Sequence, residues 1–140
     1  MSNLTIADYP LAETRPDQVK GKRGKTLAEI TLDAVIEGGV TMEDLRITPQ
    51  ALQAQAEIAR AAGRPTLARN FERGAELVEV PQDVIMAVYE LLRPGRATSK
   101  QQLLDMAHSV RETYKAERIA SFIEEAASTY EERGLFSFRF

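Results

Sequence analysis

From residue 31 onward, apolar side chains recur at steps of three and four residues, which is the period of an amphipathic helix. Thr31, Thr41 and Thr48 precede such stripes and are suitable N-caps, because a threonine hydroxyl can accept a hydrogen bond from a free backbone N–H. Pro49 then takes a first helical position, and Gly63 ends the stripe that it begins. The pattern predicts a succession of short helices.

The second half of the chain continues in the same way. Pro65 and Pro81 each begin a stripe, and Ser99 with Gln102 has the spacing of a capping box ahead of the next one. The phase of the last two stripes slips near residues 115–118, so one bent helix and two abutting helices both fit the pattern. Sustained period-two alternation is absent. We therefore predict an all-α fold, an irregular packing of five to seven helices.

The first thirty residues differ from the rest, because prolines and glycines interrupt any helix there. We divide the chain into an extended N-terminal arm, residues 1–30, and a single helical domain, residues 31–140. Tyr9 and Leu11 are apolar anchors that a free tail does not need. We expect the arm to dock on a partner, and a flexible tail is the alternative.

Composition narrows the chemistry that the chain can perform. The 140 residues are 44% hydrophobic and 28% charged, which is typical of a globular domain. The absence of cysteine excludes disulfides and thiolate chemistry, and a net charge of −3 argues against a dedicated nucleic-acid binder. The start of the chain lacks the pattern of a secretory signal, and no apolar run approaches the length of a membrane span.

Candidate catalytic groups are isolated from one another. His108 is the only histidine, so no pair of histidine ligands can form around it. The segment Lys22–Thr26 resembles the end of a phosphate-binding loop, but Val19 stands where that loop requires glycine. The pairs Glu124-Glu125 and Glu131-Glu132 point about 100° apart on a helix, so they do not form a facing dyad. The sequence therefore predicts no catalytic, cofactor-binding or metal-binding residues.

Blocks of residues along the chain match a known family in the family's own order. The main ones are Asp8–Leu11, Lys25–Leu27, Ile30–Leu32, Asp44–Pro49, Gln55–Ala59, Ala68–Arg73, Ala75–Leu77, Val80–Pro81, Leu92–Pro94, Leu103–Leu104 and Glu125–Ala127. Through these blocks, which cover residues 8–133, the chain resembles the small subunit of adenosylcobalamin-dependent diol and glycerol dehydratases.

The resemblance implies a dimer of heterotrimers with large, medium and small subunits. Adenosylcobalamin would lie between the other two subunits, and its adenosyl radical would start the conversion of glycerol to 3-hydroxypropionaldehyde or of 1,2-propanediol to propionaldehyde. The small subunit would brace the catalytic large subunit without supplying a catalytic residue. The implied location is the cytoplasm, with enclosure in a bacterial microcompartment as an alternative, and neither nucleic acid nor membrane is an expected partner.

Arginine and aromatic side chains dominate the energetics of protein interfaces, so we expect the partner contacts among such residues. The candidates are Tyr9, Arg46, Arg69, Asn70, Phe71, Arg93, Pro94, Phe136, Phe138 and Phe140. The last three belong to an unusually aromatic tail, residues 135–140. Exposed phenylalanines would promote aggregation, so we expect this tail to be buried on a partner.

The alternative hypothesis is an independent regulatory module that binds DNA through a helix-turn-helix-like pair near residues 49–78. Its basic character would come from Arg60, Arg64, Arg69 and Arg73. Three glutamates, Glu57, Glu72 and Glu76, dilute that character, and phosphate contacts would have to form on a chain of negative net charge.

Overall fold

A computed structural model describes residues 3–137 and separates two compact units, one ending at Val78 and the other beginning at Glu79. Within these residues there are seven α-helices, several 3₁₀ turns and no β-strand, which confirms the prediction of an all-α fold. The helices are α1 (Leu11–Thr14), α2 (Leu32–Ile36), α3 (Pro49–Ala61), α4 (Pro65–Leu77), α5 (Gln82–Leu92), α6 (Lys100–Tyr114) and α7 (Glu117–Glu132). The boundary at Val78 falls inside the segment 31–140, which the sequence analysis treats as one domain.

The N-caps expected from the sequence begin their helices. The Ala34 N–H donates to the Thr31 hydroxyl at 3.2 Å at the start of α2, and the Ala51 N–H donates to the Thr48 hydroxyl at 3.1 Å at the start of α3. Pro49 occupies the first position of α3, where its missing N–H costs no hydrogen bond. The boundaries of these helices are therefore determined locally.

A repeated Thr-x-x-Asp/Glu pattern shapes the chain before α3. In each copy the backbone N–H of the threonine donates to the carboxylate three residues later, as in a capping box: Thr5 to Asp8 at 2.7 Å, Thr26 to Glu29 at 2.8 Å, and Thr41 to Asp44 at 2.8 Å. These bonds hold the pKa values of Asp8 and Glu29 below their ordinary range. Residues 3–30, assigned to an extended arm from the sequence, are a series of tight turns around α1.

These turns pack on α3 within the same chain. Leu4 and Leu11 are buried in one cluster with Ile58 of α3, and Val19 and Ala54 pack against its edge. Removing such side chains from water stabilises the folded state in proportion to the apolar area covered. The first residues of the chain thus contribute to the interior of their unit.

Helices α3 and α4 form an antiparallel hairpin with alanine at the contact. Ala56, Ala59 and Ala68 are buried together, and Ala68 has no exposed surface. Leu52, early in α3, lies beside Gly74, late in α4, which gives the antiparallel direction. Small side chains at these positions allow the two helices to pack closely.

A buried carboxylate joins the 3₁₀ turn at residues 42–45 to an earlier loop. Asp44 is 1% exposed, and its Oδ2 accepts hydrogen bonds from the Thr41 N–H at 2.8 Å and from the Arg23 guanidinium at 3.1 Å. We call Arg23, Thr41 and Asp44 the Asp44 clamp. Gly21 lies against the clamp so closely that a Cβ there would be 2.0 Å from the Asp44 carbonyl oxygen. Only glycine fits at this position without displacing backbone.

In the second unit, α6 and α7 are separate helices that run antiparallel. Lys115, with φ of 56°, adopts the left-handed conformation that ends α6, and the buried Ala116 precedes α7. Their contact buries large and small apolar side chains alternately: Leu103, Ala107, Val110, Ile119, Ala120, Ile123 and Ala127. The sequence pattern fitted either one bent helix or two separate helices, and the structure has two.

Polar bonds connect the ends of these helices. The Arg111 guanidinium donates to both oxygens of Glu124, at 2.6 and 3.0 Å, and to Glu117 at 2.8 Å. The Tyr130 hydroxyl donates to the Leu92 carbonyl, which attaches α7 to the last turn of α5. Fork-shaped pairing of this kind fixes the relative position of two helices more firmly than a single contact.

The close approach at Gly21 predicts a strong effect of a small substitution. Gly21→Ala should lower the free energy of unfolding of the first unit by about 1–3 kcal/mol, because a Cβ would overlap backbone atoms of Asp44. Gly39→Ala is the matched control, since its Cβ would meet only the Ala34 oxygen at 3.5 Å, and it should change stability by less than about 0.5 kcal/mol. Urea unfolding followed by circular dichroism, with hydrogen exchange at residues 20–45, measures both. Equal effects would contradict the assigned contact.

The pairing of Glu124 with Arg111 predicts a contribution to stability that is lost in acid. The hydrogen bonds from Arg111 hold the pKa of Glu124 below its ordinary value of 4.5 in the folded protein. The unfolded chain therefore takes up its proton at a higher pH, so the stabilisation is present above pH 4.5 and disappears as the pH falls through the lower, folded pKa. Between about pH 6 and about pH 3, the free energy of unfolding should therefore fall less in Glu124→Gln than in wild type.

The exposed neighbour Glu125 provides the control for this measurement, because no ion pair involves it among the described residues. Glu125→Gln should keep the pH dependence of wild type in urea unfolding monitored by circular dichroism. If Glu124→Gln and wild type lose stability in parallel as the pH falls, the Arg111 pair contributes nothing to folding.

Candidate functional site

Large apolar side chains remain exposed in the described part of the chain, and most of them fall in one segment. Seven of the twelve such side chains lie between residues 27 and 47: Leu27, Leu32, Val35, Ile36, Met42, Leu45 and Ile47. We call this set the 27–47 surface. Leu32, Ile36 and Met42 are each about three-quarters exposed, at 75%, 73% and 75%. Singly scattered exposed leucines are ordinary, whereas seven large exposed apolar side chains within residues 27–47 make this segment a candidate interaction surface.

The local structure explains why these side chains point outward. Helix α2 has five residues, none of them buried, and Leu32, Val35 and Ile36 share one face because they are three and four residues apart. The segment is held instead by the Thr31 cap, by the buried Val40 and by the Asp44 clamp. Its conformation therefore does not require its own apolar face to be covered within the chain.

The charges on this surface are mainly acidic. Asp33 and Glu37 are exposed on α2 and, among residues 3–137, form no ion pair and no side-chain hydrogen bond. Glu43 is paired with Arg46 at 2.9 Å, and Glu29 is engaged in its capping box. A protein surface that covers this region would gain from basic groups opposite Asp33 and Glu37.

Tyr9 forms a second exposed feature of the first unit. Its side chain is 62% exposed and separates two grooves of about 320 and 610 Å³. Leu67 and Phe71 line the smaller groove, and Val19 and Ala54 line the larger one. Grooves of this size have room for a small ligand or for several side chains of another protein.

The structure distributes the predicted partner contacts over several elements of the first unit. Arg46 alone lies in the 27–47 surface, where it pairs with Glu43. Arg69 and Asn70 are exposed on α4, where Arg69 donates to the Thr66 hydroxyl at 3.3 Å and Asn70 accepts from Arg73. Phe71 is half-buried against the alanine cluster of the α3–α4 hairpin, so part of its surface already serves the chain's own packing.

The remaining candidates belong to the second unit. Arg93 and Pro94 are exposed after α5, and the Arg93 guanidinium donates to Glu90 at 3.1 Å. Phe136 is half-buried, with its ring centroid 6.3 Å from that of Tyr130. Phe138 and Phe140 lie outside the described residues. All ten assignments stay predictions, because no partner chain is present.

The choice of arginine and aromatic residues did not select Leu32, Ile36 or Met42. The apolar stripe from Leu32 to Ile36 is the pattern of an ordinary amphipathic helix, which predicts that its apolar side is buried within the chain. The short length of this helix is the feature of the sequence that could have indicated exposure, since a helix of five residues that ends before Gly38 can bury little surface.

Groups that could support catalysis are dispersed in the structure. His108 is exposed on α6. Between residues 3 and 137, no three side chains of the types that bind metals gather at one place. Over the same residues, no helix has the length and apolar character needed to cross a bilayer. The concentrated feature of the described chain is thus an apolar surface.

Comparison with known proteins gives consistent matches. A family model described as the dehydratase small subunit matches residues 4–137. The propanediol dehydratase small subunits of Citrobacter freundii and Salmonella typhimurium are each 48% identical to the chain over 128 residues. These alignments cover 91% of this chain and 74% and 73% of the respective relatives.

The exposure of the 27–47 surface predicts that polar substitutions there leave folding intact. Leu32→Gln and Ile36→Gln should each change the free energy of unfolding by less than about 0.5 kcal/mol, because both side chains are largely in water. Leu11→Gln, at a site 7% exposed, should cost about 2–5 kcal/mol. Urea unfolding measures all three. A loss in Leu32→Gln equal to that in Leu11→Gln would show that Leu32 belongs to the interior.

Proposed function

The chain belongs to the dehydratase small-subunit family, and from this membership we propose that it is the small subunit of an adenosylcobalamin-dependent diol dehydratase. The identity of 48% over 91% of the chain carries the proposal, because similarity at this level extends over both compact units. The substrate follows from the names of the relatives, which are subunits of propanediol dehydratases. The proposed reaction is the conversion of 1,2-propanediol to propionaldehyde, with glycerol as a second substrate that yields 3-hydroxypropionaldehyde.

In this proposal the chain braces a larger subunit and supplies no catalytic residue. Three observations support that division of labour. Its single histidine, His108, is exposed on a helix surface, and the buried carboxylate of Asp44 is engaged in holding loops together. The exposed 27–47 surface is the kind of feature that an obligate subunit presents to its partner.

Adenosylcobalamin is assigned to the other subunits of the holoenzyme. The two apolar grooves beside Tyr9 offer that cofactor no axial ligand of the imidazole type, because neither is lined by a histidine and His108 lies exposed on α6. When bound elsewhere in the assembly, the cofactor would supply the radical that begins the reaction. The arrangement as a dimer of heterotrimers, and a location in the cytoplasm or in a microcompartment, are further parts of the proposal that come from the family resemblance.

The hypothesis of a DNA-binding module is less well supported. The α3–α4 pair exists, but Arg60 is bonded to Glu72 and Arg73 to Asn70. Arg69 also donates to the Thr66 hydroxyl, so three of the four arginines already have partners within the chain. Phosphate binding would have to displace these contacts. The family match instead accounts for nearly the whole length of the chain.

Co-expression with the larger subunits encoded beside it tests the proposal. The chain should co-purify with them, and the complex should form aldehyde from 1,2-propanediol when adenosylcobalamin is added. Omission of the chain should lower the yield of active complex by about tenfold or more, because binding of a partner subunit stabilises the assembled form. Full activity without the chain, or failure to co-purify, would overturn the assignment.

A matched variant separates bracing from catalysis in the same experiment. His108→Ala should leave kcat of the assembled enzyme within about twofold of wild type, since His108 is exposed on α6 and belongs to no cluster of acidic and imidazole side chains among the described residues. A large loss of kcat with unchanged assembly would assign a catalytic role to this chain. The assay follows aldehyde formation at saturating cofactor and substrate.

A further inference from the structure

We propose that the 27–47 surface is the face through which this chain binds the larger subunit of its dehydratase. The inference rests on the proposed function, and it adds the location of the contact. It differs from the sequence-based choice of contacts, which placed only Arg46 in this segment.

The distribution of apolar side chains is the first argument. Among the described residues, nine of the nineteen buried apolar residues are alanines: Ala56, Ala59, Ala68, Ala75, Ala97, Ala107, Ala116, Ala120 and Ala127. The large side chains Leu32, Ile36 and Met42 are outside. A chain that fills nearly half of its buried apolar positions with alanine and leaves several larger side chains exposed has hydrophobic surface that association can cover.

The area of the surface matches one side of a specific interface. Burial of one leucine or isoleucine side chain removes about 60–120 Å² of apolar surface from water. Seven side chains that are 48–75% exposed therefore offer on the order of 400 Å². One side of a standard interface measures about 800 Å², a little over half of it apolar. The seven side chains alone supply nearly that apolar share.

The charges on α2 argue for a different protein as occupant, and against a second copy of this chain. In a twofold dimer through this surface, Asp33 and Glu37 would face the same carboxylates of the partner copy or be buried without a counter-charge, and both are unfavourable. The occupant that fits has an apolar face with lysine or arginine opposite these two residues. We assign that face to the larger dehydratase subunit.

The surface is also ordered in advance of binding. The Thr31 cap holds the start of α2, and the Asp44 clamp holds the turn that carries Met42 and Leu45. A surface that is fixed before association loses less conformational entropy when it binds. The Asp44 carboxylate thus positions the contact residues without contacting a partner itself, since Asp44 is fully buried.

The test uses the co-expressed complex, with an affinity tag on the larger subunit and the amount of this chain retained after dilution as the readout. Leu32→Gln and Ile36→Gln should each weaken binding about tenfold or more, and the double variant about a hundredfold. Leu32→Met and Ile36→Val keep the apolar surface and should bind within a few-fold of wild type. Met86→Gln is the control outside the surface, because Met86 on α5 is 49% exposed.

A charge variant makes the test independent of folding. Glu37→Lys places a cation at the C-terminal end of α2, where it favours the helix, so the chain should fold as well as wild type. It should nevertheless weaken binding several-fold, and more at low salt, because it would face the basic groups of the partner. Circular dichroism of the purified variant checks its folding.

The outcomes distinguish this inference from the proposed function. If wild type is not retained at all, the proposed function fails. If wild type is retained and the Leu32→Gln and Ile36→Gln double variant is retained equally, only the assignment of the surface fails. An equal loss in Met86→Gln, or dimers of the isolated wild-type chain that Ile36→Gln dissolves, would also overturn it.

Discussion

The alanine-lined contact between paired helices is the constraint on which the rest of this structure depends. Ala56, Ala59 and Ala68 lie between α3 and α4, and Ala107 and Ala120 are buried within the α6–α7 pair. Alanine permits close packing and favours helix, but each residue removes little apolar area from water. Each unit therefore has a well-defined hairpin that buries little apolar area per residue, and several larger apolar side chains of the first unit remain exposed.

Before α3, hydrogen bonds and an ion pair, more than apolar contacts, fix the conformation of the chain. The three Thr-x-x-Asp/Glu turns fix the chain locally, and Asp44 joins two of its loops through Arg23 and Thr41. A buried carboxylate needs such partners, because its charge is costly away from water. Its Oδ1 accepts no hydrogen bond in the described structure, so the clamp contributes more to the geometry of the loops than to their stability. The 27–47 surface owes its fixed shape to this arrangement.

The starts of several helices could be predicted from the sequence, whereas the exposed 27–47 surface could be recognised only in the structure. Thr31, Thr48 and Pro49 mark helix starts in the sequence because capping depends only on neighbours in the chain. The break at Lys115 carries no such signal, since a lysine rarely adopts a left-handed conformation. Periodicity shows that one side of α2 is apolar, but it cannot show whether the same chain covers that side. The contact candidates at Tyr9 and Arg93 were chosen by residue type, which says nothing about where exposed area accumulates.

The outward-facing α2 has a consequence for the host cell. A copy of this chain that is made without its partner would leave three-quarters of Leu32 and Ile36 in water, where hydrophobic surfaces of other orphan copies or of chaperones would compete for them. Synthesis in step with the larger subunit would remove that hazard by shortening the time that each copy spends alone. The dosage of this chain relative to its partner is then a quantity that the cell would have to control.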